Sequence, residues 1–413
     1  MIVNRTEQIM LNGSLKISKM CHLAKNLYNE GNYIIRQEFI TNGKWIRYRQ
    51  LDKMLQPSEN YKSIPAQSSQ QTLMLLDRNW KSFFKSIKEW KKNSSKFKGM
   101  PKLPKYKWKG GESLLIFTNQ QAKIKEGFLN LPSKIGVRVK TRIKGVLNQV
   151  RIIPKGVGYI LEIVYEKVVE SLNLDRNRII GIDVGLRNII TIGNNIGKQP
   201  IVVKGGVVKS INQYYNKENA RLSEIYTRQQ TRETNGVIPK GMRVKKGMSA
   251  KWLQVKRDNK INDFFHKTSR FIIDYCIANN IGTIVFGHND NWKQNIDLGK
   301  KTNQNFVQIP VSKLQQQIRY KAEDVGDDFI VQEESHTSKC SILDGESIEH
   351  HDMYLGKRVS RGIFRSALGV KINADVNASY NIIRKAVVNA FPKGRVDAIE
   401  GVGLHPLTVI IQQ

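Results

Sequence analysis

The sequence predicts three parts: a small helical domain and a small β-barrel domain, then a larger C-terminal α/β domain. Three observations predict this. Apolar residues recur at helical spacing in two long stretches before residue 100. Short strands split by Gly, Asn and Pro crowd residues 112–167. From Arg178 onward, strands and helices alternate. A chain of 413 residues has room for two or three domains and a sizeable core.

Residues 1–12 read as a strand, counted as the first of the barrel domain. Residues 13–108 read as the helical domain. Ile17, Met20, Leu23, Ala24, Leu27, Ile34 and Ile35 share one helix face between Leu15 and Phe39. Leu73, Leu76, Trp80, Phe83, Phe84 and Ile87 do the same between Ala66 and Trp90. Residues 81–109 then hold eleven lysines and one glutamate, interleaved with Phe83, Phe84, Trp90, Phe97, Tyr106 and Trp108. Prolines 101 and 104 end any helix there. Lysines with interleaved rings suit a phosphate backbone and its bases; a charged linker with its rings packed into neighbouring domains is the plainer alternative. The candidate contacts are Lys91, Lys92, Lys96, Lys98, Lys105, Tyr106 and Lys107.

Residues 109–177 read as the rest of the barrel, with strands near 114–117, 122–124, 128–131, 137–143, 150–155 and 159–165. Residues 178–413 read as the α/β domain. Arg178–Asp183 is a short buried strand, Val184–Arg187 a turn, Asn188–Gly193 a second strand and Ile201–Lys204 a third, together an antiparallel meander. Residues 207–275 are largely helical and basic, interrupted at 236–247; Lys245, Lys246, Lys256 and Arg257 are candidate nucleic-acid contacts. Thr283–Gly287 is a continuous apolar strand, as a buried parallel strand is. A helix over Pro310–Val325 follows, then a fifth strand ending in Glu333-Glu334. Residues 341–371 read as polar and irregular, and a closing helix opens around Ile372–Asp375.

Charge narrows the function. Lys and Arg number 68 against 35 Asp and Glu, a net +33 spread along the chain. A polyanion partner follows, nucleic acid being the commonest. Cys21, Cys276 and Cys340 are too few and too far apart for a disulfide framework or a four-cysteine zinc site. The start of the chain has no apolar leader, and no run approaches the ~18 apolar residues of a membrane span. A cytoplasmic, nucleoid-associated protein with no membrane partner is the expectation.

Three antiparallel strands, a helix, two further strands with a helix between them and a closing helix make the RNase H-like order. In it the first strand is central and the fourth lies beside it. Asp183 ends the first strand and Asp375 starts the last helix. A lone carboxylate on an apolar strand is costly without a partner or a metal, although an Asp that simply caps a hairpin accounts for Asp183 by itself. Carboxylates converging from separate elements suit two Mg²⁺ ions ~3.5–4 Å apart on a phosphodiester.

The chain resembles the TnpB family of transposon-encoded, RNA-guided DNA endonucleases, related to Fanzor proteins and type V CRISPR effectors. The resemblance rests on Asp183-Val184-Gly185, Gln308-Ile309-Pro310, Tyr320-Lys321-Ala322, Thr337-Ser338-Lys339-Cys340 and Asn373-Ala374-Asp375-Val376-Asn377. Leu27-Tyr28-Asn29, Pro104-Lys105-Tyr106-Lys107 and Leu129-Asn130-Leu131-Pro132 agree. Order and spacing carry it, since Asp-x-Gly alone is weak. It implies a RuvC-like nuclease domain, guide RNA from the chain's own locus, double-stranded target DNA read beside a short flanking motif, and catalytic Asp183, Glu334 and Asp375 holding two Mg²⁺. Two departures stand out. The family's middle glutamate usually ends the fourth strand, where this chain has Gly287. Some branches resemble this chain in carrying it on the fifth strand, which implies Glu334 with Glu333 as the fallback; a nuclease-inactive RNA-guided repressor is the alternative. An RNA-independent RuvC-like nuclease or a transposition accessory protein is a further one. The family's four-cysteine zinc ribbon is also reduced to Cys340 within the insert at 341–371. Cys340, His350 and His351 match no zinc spacing, so no zinc is expected.

Overall fold

The computed structural model describes residues 1–233, 236, 247–289, 308–391 and 403–412. It divides into two units, Ile2–Val168 and, with Met1, Val169–Gln413. The helical and β parts upstream of residue 169 lie in one unit.

The first unit begins with β1 (Ile2–Leu11), α1 (Leu15–Asn42), α2 (Tyr48–Leu55), α3 (Glu59–Lys62) and α4 (Ala66–Lys92). Helix α1 stops at Gly43, which adopts the left-handed conformation and donates its N–H to the Phe39 carbonyl. Gly31 lets α1 close on its neighbours: a Cβ there would lie 3.1–3.3 Å from methyls of Leu76, Leu73 and Leu51. Strands β2 (Leu115–Thr118), β3 (Lys123–Lys125), β4 (Phe128–Asn130), β5 (Arg138–Lys140), β6 (Leu147–Pro154) and β7 (Tyr159–Val168) complete the unit. All of these strands were legible, but one closed barrel was not what they form. They split into an antiparallel sheet of order β1-β7-β6-β2 and a separate β3-β4-β5 meander. Leu129 and Leu131 nonetheless join Phe117, Val150, Leu161 and the α1–α4 residues in one apolar core.

The second unit is built on a six-stranded sheet. Its elements are β8 (Asp175–Asp183), β9 (Asn188–Asn194), β10 (Ile201–Lys204), α5 (Gly206–Glu233), α6 (Met248–Ala278), β11 (Ile281–His288), α7 (Val311–Glu323), β12 (Asp328–Glu333), β13 (Lys357–Ser360), β14 (Ile363–Arg365), β15 (Lys371–Asn373), α8 (Ala374–Ala386) and β16 (Leu407–Val409). The sheet order is β12-β11-β8-β9-β10-β16. Strands β8, β9 and β10 pair antiparallel, whereas β11 and β12 run parallel to β8. The first strand is thus central with the fourth beside it, as the element order predicts. Strand β16 was not foreseen; it pairs parallel to β10.

Alternation along β8 sorts its side chains between two cores. Ile180 and Ile182 join Phe264, Phe265, Leu314 and Ile318 of α6 and α7. Ile179 joins Val376, Tyr380 and Ile383 of α8. Gly181 therefore faces α8, and so does Asp183. Strand β11 repeats the rule: Ile284 and Phe286 face one core and Val285 the other, which puts Gly287 on the α8 face.

Residues 341–371 correct the irregular expectation. Strands β13, β14 and β15 form a small antiparallel sheet that runs directly into α8. Its anchor is Glu346, only 5 % exposed. The Glu346 carboxylate accepts from the Ser341 N–H at 2.7 Å and the Leu355 N–H at 2.8 Å. Asn377 and Asn381 of α8 donate to the Cys340 carbonyl at 2.8 and 2.7 Å. Cys340 is buried, with its thiol toward the Glu349 carbonyl. Charged hydrogen bonds to buried backbone contribute about 1.5–3 kcal/mol each. Glu346→Ala is expected to lower stability by roughly 2–4 kcal/mol, read by denaturant unfolding.

Candidate active site

Three elements bring the carboxylates to one end of the sheet. Asp183 is the last residue of β8, opposite Thr191 of β9. Its turn is tight: a Cβ on Gly185 would lie 2.8 Å from the Asn188 carbonyl. Asp375 sits in the first turn of α8, whose N-cap Asn373 accepts from the Asp375 and Val376 N–H groups. Asn188 donates to Asp375 Oδ2 at 2.8 Å, and Lys204 donates to Asn188 Oδ1 at 3.3 Å. That chain fixes which way the Asn188 amide faces. Neither residue was singled out from sequence; a polar residue opening an otherwise apolar strand was the available signal.

Glu334 follows β12. Its N–H donates to the His288 carbonyl at 3.2 Å. Its own carbonyl accepts from the Thr337 hydroxyl at 2.8 Å, and Asn381 of α8 donates to the Thr337 carbonyl at 2.9 Å. The Thr-Ser-Lys-Cys turn therefore ties Glu334 to the helix that carries Asp375. The Glu334 carboxylate turns toward Gly287: Oε2 lies 3.0 Å from where a Gly287 Cβ would be.

Electrostatics report the same convergence. Burial, then the charges of Asp375 and Glu334, push the Asp183 carboxyl well above the usual range, against an opposing pull from Arg358. Burial raises Glu334 as well, with Glu333 adding and Lys385 opposing. Glu333 is different. It is exposed, accepts from Lys385 at 2.9 Å and from the Ser335 N–H at 2.8 Å. Partial burial raises its pKa, but those hydrogen bonds outweigh it and hold the carboxylate below the ordinary range. Arg358 on β13 reaches to 3.9 Å from Asp375 Oδ1. It was missed in sequence because a single arginine in a polar stretch carries no signal.

Three hard oxygen donors on one half-exposed surface fit Mg²⁺ in kind. Among the described residues, no group of three or more His, Cys, Asp or Glu is tight enough to hold a single ion. A two-ion site does not demand that, because each ion keeps waters and shares only some carboxylates.

A carboxyl raised on folding binds protons in the native state at pH values where the unfolded chain has released them. Between the ordinary Asp pKa and the raised one, stability therefore falls as pH rises. Without metal, Asp183→Asn is expected to raise the melting temperature at neutral pH and to flatten its fall from mildly acidic pH, measured by calorimetry in EDTA.

The remaining expected contacts fall in several places. Lys91, Lys92, Lys96, Lys98 and Lys105 are exposed, with Lys96 paired to Glu89 at 3.1 Å. Residues 104–109 lie along α1: Arg36 and Asn32 donate to the Pro104 carbonyl, Asn29 to the Lys107 carbonyl and Lys25 to the Lys109 carbonyl. Tyr106 is exposed under the Arg36 guanidinium, and half-buried Lys107 lies over the Tyr28 ring. Phe83 and Phe84 pack against Phe39 and Trp80 instead of standing free for bases. Lys256 is exposed. Arg257 is occupied within the fold, donating to Asn212, Asp258 and the Gln308 carbonyl. Lys245 and Lys246 lie outside the described residues. The Gln308 side chain pairs with Asn216, and Lys321 donates to the His266 carbonyl at 2.7 Å. Those two motifs tie α5, α6 and α7 together.

Residues 162–293 match a family model described as OrfB_IS605, probable transposase, and residues 312–382 match the Cas12f1-like TNB domain. The CRISPR-associated endodeoxyribonuclease Cas12f1 of Sulfoacidibacillus thermotolerans is 29 % identical over 224 residues, 54 % of this chain. The match spans about half the length of that relative, 49 %. A cryo-EM structure of a Cas12f1–sgRNA–target DNA complex superposes with a TM-score of 0.54 at 16 % identity, covering 89 % of this chain and 83 % of that one. That likeness is one of fold. No helix among the described residues is long and apolar enough to cross a membrane.

Proposed function

We propose that the chain is a TnpB-like, RNA-guided, Mg²⁺-dependent, transposon-encoded endonuclease that cuts double-stranded DNA beside a short flanking motif. The observation that carries the reading is the meeting of Asp183, Glu334 and Asp375 at one sheet end, close enough for two of them to raise the third. Two bound Mg²⁺ would supply Lewis-acid stabilisation of the phosphate and a water of lowered pKa. Asp183, Glu334 and Asp375 would hold them, with Glu333 spent on Lys385. Asn188 and Lys204 orient Asp375, and the α8 asparagines orient the turn behind Glu334. The exposed lysines of residues 91–105 would follow guide or heteroduplex phosphates by shape. A cavity of about 590 Å³ in the first unit, lined by Arg47, Arg49, Gln71, Arg78 and Gln149, supports motif reading there. Arg and Gln are the side chains that pair bidentately with guanine and adenine edges. Such a protein would work at the nucleoid.

The repressor alternative rested on Gly287. The position of the Glu334 carboxylate beside that glycine favours relocation of the glutamate over its loss. Gly287→Glu with Glu334→Ala is expected to recover part of the cutting lost in Glu334→Ala. Recovery stays partial because the new Cβ meets Ile382 Cδ1 at 2.6 Å and the Ile182 carbonyl at 3.1 Å.

The test is plasmid cleavage by the chain expressed with RNA from its own locus, on a matched target behind a randomised flank. Guide-dependent linear product, lost in EDTA, is expected. Guide-dependent binding without cutting would instead favour the repressor, and guide-independent cutting an RNA-independent nuclease.

A further inference from the structure

Strand β16 lies at the edge of the six-stranded sheet and pairs parallel with β10 over three residues, Leu407–Val409 against Ile201–Val203. Several contacts fasten it there. The Leu407 N–H donates to the Pro200 carbonyl at 2.7 Å, and the Gln199 side chain donates to the His405 carbonyl at 2.6 Å. Lys267 of α6 donates to the Gln412 carbonyl at 3.2 Å. Val409 and Ile411 pack against the core shared with α6 and α7. Without this segment β10, four residues long, would be the edge strand of the sheet. Paired on one side alone, a strand that short frays.

The far end of β10 reaches the Asp375 carboxylate. A register shift between Val203 and Lys204 sets Lys204 opposite Asn188. Lys204 Nζ donates to Asn188 Oδ1, which leaves the Asn188 amide nitrogen to donate to Asp375 Oδ2. An ammonium offers donors and no acceptor, so it fixes the amide in this sense. With Lys204 withdrawn, the amide can turn its oxygen toward the carboxylate and repel it. One residue on, the Gly205 N–H donates at 2.7 Å to the carbonyl of Arg187, in the turn that follows Asp183. A shift of β10 is therefore felt by both aspartates. We propose that β16 is a positioning strand for the nuclease site: docked on β10, it holds Lys204 against Asn188 and so sets the orientation of the Asp375 carboxylate. The proposal deepens the nuclease reading and rests on it for the metal that Asp375 would hold; the coupling from β16 to α8 is a property of the fold.

Leu407→Pro removes the N–H that holds β16 to Pro200. Lys204→Met, at an exposed side chain, breaks the next link without touching β16 and guards against misfolding of the first variant. Hydrogen exchange in EDTA is read by mass spectrometry on the full chain with its RNA. Exchange over Ala374–Asn377, the first turn of α8, is expected to speed up in both variants, and over β10 in Leu407→Pro. Mn²⁺ affinity, read by electron paramagnetic resonance without DNA, is expected to fall about tenfold in Lys204→Met and several-fold in Leu407→Pro. The double variant is expected to match Lys204→Met, because both changes act through one contact. Ile410→Ser alters a side chain 70 % exposed beside the same strand and is expected to change neither reading. Faster exchange confined to β10 and β16, with α8 as in the unaltered chain, overturns the proposal. Losses of Mn²⁺ affinity that add in the double variant overturn it too, since β16 would then act by a path other than Lys204. Failure of the unaltered chain to bind Mn²⁺ would sink the nuclease reading alone, and the exchange of α8 would still decide the coupling.

Discussion

Glu334→Gln is expected to reduce guide-dependent cleavage by about three orders of magnitude while target binding stays unchanged. The substitution keeps the side chain's size and leaves the Thr337 contacts intact, because the Glu334 carbonyl makes them. What it removes is one negative charge from a cluster of three. A metal site that loses a ligand gives up several kcal/mol of transition-state stabilisation, and each ~1.4 kcal/mol is tenfold in rate. Glu333→Gln is the internal control. It removes an exposed partner of Lys385, costs less than about 1 kcal/mol of stability, and should leave cutting within a few-fold. Single-turnover cleavage with a filter-binding control separates the two residues. If Glu333→Gln were the dead variant and Glu334→Gln cut normally, the assignment of the middle carboxylate would be wrong by one residue.

How much of the chain was readable is a matter of how tightly each residue is constrained locally. Strand β8 announces itself because a β-branched run bounded by a tight turn has few other ways to fold, so Asp183 could be placed at its end. The resemblance to branches that carry the middle glutamate on the fifth strand put forward Glu334, and two local facts made that place reasonable: adjacent parallel strands share an end, and Gly287 has no side chain. The aromatic run misled in part. Phe83 and Phe84 continue the helical stripe of Leu73, Leu76 and Trp80, and that periodicity outweighs the lysines around them. Arg257 misled for a similar reason: a basic sequence context does not reveal that Asn212 and the Gln308 carbonyl occupy its guanidinium. Strands β13–β15 were hidden because they are three or four residues long and β13 is exposed throughout; their buried apolar residues, Phe364 and Ile372, are too few and too far apart to show a period. Arg358 was hidden with them. The closed barrel failed because alternation along short strands specifies faces, whereas closure depends on which edges meet.

Gly181→Ala should cost about 1–3 kcal/mol of stability or more and take most of the cleavage with it, although no catalytic group changes. Gly181 and Gly193 pair across β8 and β9 beneath α8. A Cβ on Gly181 would lie 2.2 Å from the Ser379 carbonyl oxygen and 2.6 Å from Ile383 Cγ1. The first of these is helix backbone and cannot rotate away, so α8 must lift or the strand must bend. Either movement carries Asp375 away from Asp183, and misplacement by an ångström can cost about a hundredfold in rate. Gly193→Ala tests the logic from the other side. Its Cβ would meet Ser379 Oγ at 2.6 Å, the end of a side chain that can change rotamer, so the expected loss is smaller in both stability and rate. Denaturant unfolding and single-turnover cleavage on the two variants read these effects separately. Equal, small losses would mean that α8 has slack over the sheet and that something other than close glycine packing sets the separation of the two aspartates.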